Sequence, residues 1–190
     1  MNYGFQGGVV AHPYGVTFSQ EQGETIALVR APGAADTKVQ NNTGVRTDWR
    51  GYAVVPYVST YRKNRVALDS ETLAEDVDID TNTQTVIPTN GAVVLANFKT
   101  RVGSRVLMTL NYRGKPVPFG ATASLLQEGG AMDNSGIVGT DGQVYLSGVP
   151  EKGQLLVKWG NTASQQCQVD FALPKVNPPS SVATSDFICR

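Results

Sequence analysis

The stretch RVLMTLNY, Arg105–Tyr112, sets Val106, Met108, Leu110 and Tyr112 against Leu107, Thr109 and Asn111. A period of two belongs to a strand with one face buried; a helix would repeat about every 3.6 residues. Similar short runs lie on both sides of it. ETIALVRA, GYAVVPYV, NRVALD, QTVIP and GAVVLANF come before; GATASLL, GQVYLSG, GQLLVKW and CQVDFAL follow. Turn residues bound each run, and the 20 glycines and 10 prolines of this 190-residue chain serve the many turns that strands require. Short strands at such spacing predict an all-β fold of sandwich type.

Local details follow from the same reading. In ETIALVRA, Ile26 and Leu28 oppose Ala27 and Val29. Pro56 cannot donate to a ladder, so GYAVVPYV lies at an edge or bulge. Asp141-Gly142, between alternating runs, predicts a hairpin. SETLAEDVD offers one helical turn, with Ser70 or Thr72 as cap and Glu75 reaching back; a solvated loop is the alternative. A boundary near Arg101–Gly103 divides the runs into two consecutive small sandwiches, 20–101 and 102–190. Residues 1–19 fit neither, because Tyr3, Phe5, Val9, Ala11, Val16 and Phe18 alternate without evident partners.

Composition narrows the function. Sixteen basic and 16 acidic residues leave no net charge. Nucleic-acid binding draws most of its affinity from excess positive charge, so that class is disfavoured. No apolar run approaches the ~18 residues of a membrane-spanning helix. MNYGFQGGVVAHPYG lacks the basic and long apolar segments of a signal peptide, so a protein working outside the cytoplasm would carry its signal elsewhere.

One region stands out. TGVRTDWRGYAVVPYVSTYRKNRVALD, Thr43–Asp69, gathers Arg46, Arg50, Arg62, Lys63 and Arg65 around Trp49, Tyr52, Tyr57 and Tyr61. Alternation assigns some of Trp49, Tyr52, Val54 and Tyr57 to a core, Trp49 foremost. Arg46 and Arg50 flank Asp48 at a turn. Tyr61, Arg62 and Lys63 are candidate partner-binding residues, since Tyr and Arg are enriched at interface hot spots. The acidic run that follows, DSETLAEDVDIDTN, can partly neutralise this stretch, and exposed pairs of that kind contribute only ~0–1 kcal/mol each.

Signs of catalysis are few. There is no G-x-S-x-G elbow. The single His12, in a glycine-rich segment, reads as an exposed turn residue rather than a general base. DIDTN imitates the start of a calcium loop, but Thr83 stands where glycine is needed and Thr89 where glutamate is. NYRGKPVPFGA has no phosphate-loop spacing. Neither catalytic residues, a metal site nor a cofactor is expected.

Cys167 and Cys189 are the two cysteines. Cys167 shares a strand face with Val169, Phe171 and Leu173; Cys189 lies one residue from the end, after the loop-like PKVNPPSSVATSD. A disulfide Cys167–Cys189 is the favoured reading and implies an oxidising compartment. Two free buried thiols remain the alternative.

Several phrases together resemble a known family. GVVAHPYGVTFSQ, VRAPGA, TGVRTDWRGYAVVPY, YRKNRVALD, VIPTNGAVV, GKPVPFGA, SGIVGTDGQVYLSGVP and VKWG are similar, in order and spacing from Gly8 to Arg190, to the C-terminal part of outer-membrane ushers of the type 1 fimbrial kind. The resemblance implies two periplasmic β-sandwich domains, Ig-like or transthyretin-like, and makes residues 1–19 a remnant of the last barrel strands. It further implies no enzyme, but a region that holds chaperone–pilus subunit complexes at the base of a growing fibre and works with the remainder of the usher. The location implied is the outer membrane, these domains facing the periplasm. A standalone structural or carbohydrate-binding sandwich is the alternative reading.

Overall fold

The computed structural model describes residues 6–126, 134–174 and 182–190. Tyr3 and Phe5 lie outside them. The chain divides into two units, Met1–Arg101 and Val102–Arg190. Both are all-β, with three short 3-10 turns among the described residues. No described helix is long and apolar enough to cross a membrane.

In the first unit, β1 (Gly8–His12) and β2 (Gly15–Ser19) form a hairpin that pairs Val9 with Phe18 and Ala11 with Val16. Those four side chains are exposed, while Val10 and Thr17 are buried. After the hairpin come β3 (Ile26–Arg30), β4 (Tyr52–Val55), β5 (Asn64–Ala67), β6 (Val77–Ile79), β7 (Thr83–Val86), β8 (Val93–Asn97) and β9 (Thr100–Val102). The main sheet has the order β4-β3-β8, with β5-β7 and β6-β9 as smaller pairs. β3 lies at its centre, antiparallel to β4 and parallel to β8.

A strand buried on both faces should be apolar throughout, and IALV is. Ala27 and Val29 face the main core with Ala53, Val55, Ala96 and Phe98. Ile26 and Leu28 face the other way and, with Tyr52 and Val54, meet Val10 of the hairpin. Strand β4 is an edge strand that stops before Pro56, in keeping with the missing donor.

The turn at Ser70–Thr72 is capped by Asp69, not by Ser70 or Thr72. Its carboxylate accepts the Glu71 N–H at 3.2 Å, while the Thr72 hydroxyl donates to the Asp69 carbonyl at 2.8 Å. A short carboxylate one position earlier reaches the free amide better than a hydroxyl within the turn.

The second unit is a two-layer sandwich built from β10 (Ser104–Tyr112), β11 (Lys115–Pro116), β12 (Thr122–Leu126), β13 (Ser135–Ile137), β14 (Gln143–Val149), β15 (Lys152–Lys158), β16 (Gln166–Ala172) and β17 (Ala183–Cys189). One sheet holds β10 between β17 on one side and β14 with β11 on the other; the second has the order β13-β12-β15-β16. Val106, Met108 and Leu110 are fully buried, as the period-two reading of β10 requires. Opposite them, Leu125, Leu155, Val157, Val169 and Phe171 complete the core.

Two sequence expectations give way here. Residues 183–186, read as loop, belong to β17, which runs parallel to β10 from Ala183 opposite Val106 to Cys189 opposite Tyr112. Parallel pairing with a strand so far away leaves no local turn signal to announce it. The Asp141-Gly142 turn does take positive φ at both residues (57° and 73°), and the Gly139 N–H reaches the Gln143 carbonyl at 2.6 Å. Yet it joins no hairpin. β13 pairs with β12 and β14 with β10, so the turn carries the chain from one sheet to the other.

Candidate docking surfaces

The basic and aromatic stretch folds into two surface features of the first unit. At the first, Asp48 organises the turn DWRG. Its Oδ1 accepts the backbone N–H groups of Arg50 and Tyr52, both at 2.9 Å, and its carbonyl accepts the Gly51 N–H at 2.9 Å. An aspartate at the first position and glycine at the fourth is a tight-turn pattern. Gly51 itself has φ +88°, and a Cβ there would lie 1.9 Å from the Ala31 carbonyl oxygen. Only glycine fits.

The turn throws Trp49 outward, 83% exposed, so the expectation that it belongs to the core is wrong. Alternation was carried across a turn, where period two has no meaning. Tyr57 is exposed as well, beyond Pro56, whereas Tyr52 and Val54 are buried.

Arg50 uses its position in the turn to hold the hairpin. Its guanidinium donates to the carbonyls of Tyr14 at 3.2 Å and Val16 at 2.5 Å, and pairs with Asp48 at 3.1 Å. The same group lies over the rings of Trp49 and Tyr52, and Arg30 lies 4.7 Å over the Tyr14 ring. Tyr14 in turn stacks on Tyr52. His12 sits beside this cluster at the end of β1. Its Nδ1 accepts the Tyr14 N–H at 3.3 Å, so Nε2 carries the proton and donates to the Thr17 hydroxyl at 3.0 Å. Burial, then the Arg50 guanidinium, hold the His12 imidazole below its usual pKa, against the opposing pull of Asp48. His12 is therefore a half-buried, hydrogen-bonded residue and not the exposed turn histidine expected.

The second feature is the loop from Pro56 to β5, which carries Tyr61, Arg62 and Lys63. All three are exposed and adjacent. Asn64 frames the loop: its Oδ1 accepts the Ser59 N–H at 2.8 Å, and its Nδ2 donates to the carbonyls of Ser59 at 2.7 Å and Arg62 at 2.9 Å. The Tyr61 N–H reaches the Pro88 carbonyl at 2.7 Å. Sequence reading placed a turn at Asp48 without its capping role, and passed over Asn64. Their signal was available, because short polar side chains that mimic backbone groups are what irregular loops need.

Among the described residues no ion pair joins the acidic run to the basic stretch. Asp80 pairs with Arg101, and Arg46 with Asp36 at 2.9 Å. Within the basic stretch, Arg46 and Arg50 pair instead with Asp36 and Asp48, which precede the run in sequence. Among the described residues no group of three His, Cys, Asp or Glu is placed to hold a metal. In the second unit, Cys167 and Cys189 form a disulfide, their Cα atoms 5.5 Å apart. Paired bonds between Gln168 and Arg190, 2.8 and 2.9 Å, continue the tie from β16 to the end of the chain.

Known proteins resemble this chain along its whole length. The family described as "Outer membrane usher protein" matches residues 1–98, and "PapC C-terminal domain" matches residues 107–175. The outer membrane usher protein FocD of Escherichia coli is 53% identical over 99% of this chain and 21% of its own length. LpfC of Salmonella typhimurium is 51% identical over 100% of this chain and 22% of its length. FimD of Escherichia coli K12 is 50% identical over 99% and 21%. A chain of the Escherichia coli P pilus tip assembly intermediate PapC-PapD-PapK-PapG superposes with TM-score 0.64 at 28% identity, over 97% of this chain and 22% of that one. The chain thus spans about a fifth of the length of the curated relatives it matches.

Proposed function

Because the chain belongs to the outer membrane usher protein family, we propose that it is the periplasmic C-terminal docking region of a pilus-assembly usher. It holds chaperone–pilus subunit complexes while the incoming subunit is added to the fibre at the outer membrane. Residues 20–101 and 102–190 are the two docking domains. Residues 1–19 are the end of the barrel, a reading supported by the exposed apolar pairs Val9–Phe18 and Ala11–Val16 on the outer face of the hairpin.

The observation that carries this reading is the likeness, over 97% of the chain, to a component of the PapC-PapD-PapK-PapG assembly intermediate. The region works by rigid positioning and makes or breaks no covalent bond. Strand addition depends on backbone hydrogen bonds and on side-chain register, and a platform that fixes the complex near its target raises local concentration. Arg50 supports the same reading, since it binds the hairpin's carbonyls to the first domain and so couples the barrel end to the docking surface. Tyr61, Arg62 and Lys63 are the proposed contacts.

The test is made in cells. A full-length usher lacking the segment equivalent to residues 20–190 should still insert into the outer membrane but display no pili. Normal piliation of that deletion strain would refute the proposal.

A further inference from the structure

Tyr61 is held in a backbone conformation that its own side chain does nothing to stabilise. Its φ is +55°, in the left-handed region where a β-carbon crowds the backbone and where glycine or asparagine is the usual occupant. Such strain persists only where the surroundings impose it. Here Asn64 imposes it, through three bonds to Ser59 and Arg62, together with the Tyr61 N–H bond to Pro88. The side chain gains nothing in return. It is 71% exposed and takes part in no hydrogen bond or ring contact among the described residues. Arg62 and Lys63 beside it are exposed and form no ion pair there.

We infer that Tyr61 is the anchor of the docking loop and that its strained backbone is retained for a partner. The inference rests on the function proposed above and names the chemistry of the surface it meets: an apolar pocket with an acidic rim on the chaperone–subunit complex. The ring supplies flat apolar area with few rotatable bonds and a hydroxyl at its tip, which suits a pocket whose mouth is polar. The two unpaired cations then meet carboxylates at the rim, where they speed association and set orientation. Asn64 is a positioning residue, since it reaches the partner only through the loop it frames.

Titration calorimetry of the 190-residue chain with a purified chaperone–pilus subunit complex tests this. Tyr61→Asn keeps the left-handed turn and removes the ring. It should weaken binding at least tenfold with the melting temperature unchanged or raised. Asn64→Ala should also weaken binding, and the double variant should bind no more weakly than Tyr61→Asn alone, because both act through one side chain. Raising the salt concentration should weaken wild-type binding and affect Arg62→Ala/Lys63→Ala much less.

The outcomes separate. If the wild-type chain binds and Tyr61→Asn binds within twofold of it, Tyr61 is not the anchor. A lowered melting temperature for Tyr61→Asn would make the residue structural and overturn the inference equally. Salt-independent binding would refute the acidic rim. If the wild-type chain does not bind at all, the proposed function fails, and this inference fails with it.

Discussion

Removing the disulfide gives the most quantitative check on the second unit. Cys167 and Cys189 are separated by 22 positions, and closing a loop of that length removes roughly 11 cal/mol/K from the unfolded chain. At room temperature that is about 3 kcal/mol of stability. A unit of fewer than a hundred residues shifts its melting temperature by about 4–8 °C per kcal/mol, so Cys167→Ala/Cys189→Ala should melt roughly 12–24 °C lower. Scanning calorimetry measures the shift, and hydrogen exchange assigns it. Protection should fall first in β17, whose C-terminal end the bond ties to β16, and then along the facing edge of β10. The first unit's amides should keep their protection. A shift below about 3 °C would show that the parallel ladder holds β17 unaided and that the chain-entropy argument does not apply here.

Other expectations concern the first unit. Gly51→Ala forces a Cβ against the Ala31 carbonyl at positive φ, and should destabilise by about 3 kcal/mol or more in urea titrations. Trp49→Ala should change stability by no more than about 0.5 kcal/mol, because the ring is solvent-facing; a loss typical of a core aromatic would restore the discarded core reading. His12 is depressed in the folded chain, so the unfolded chain takes up its proton more readily. Its contribution is complete above the unfolded value near 6.5 and is lost as pH falls below it through the folded value. Melting curves between pH 7.5 and 5 should show a decline that His12→Gln reduces; identical slopes for the two proteins would contradict it.

What the sequence disclosed was face rather than partner. Val106, Met108 and Leu110 alternate, and all three are buried; Ile26–Val29 is apolar on both sides, and β3 is covered on both. Periodicity states which side chains turn inward. It is silent on which strand lies alongside, so the parallel neighbours β8 of β3 and β17 of β10 were beyond its reach. The same limit explains Asp141-Gly142, whose turn conformation is legible while the switch of sheets depends on distant partners, Ala121 for Val138 and Val106 for Leu146.

At the surface, the errors arose where side chains replace backbone partners. Asp48 folds the DWRG turn and expels Trp49; Asn64 shapes the loop that lifts Tyr61, Arg62 and Lys63. Composition pointed to this region correctly, since basic and aromatic residues crowd into it. Which of them would be buried required the turns to be placed first. Arg50 was read as a turn-flanking cation, and nothing in sequence tells that its guanidinium spans to Tyr14 and Val16 on the hairpin.

The docking claim is tested most directly by the dissociation constant of this chain for a chaperone–subunit complex, measured beside that for the free chaperone. Tighter binding of the loaded complex, detectable at micromolar concentration, is the predicted result. No heat of binding to either species, even at high micromolar concentration, would contradict it.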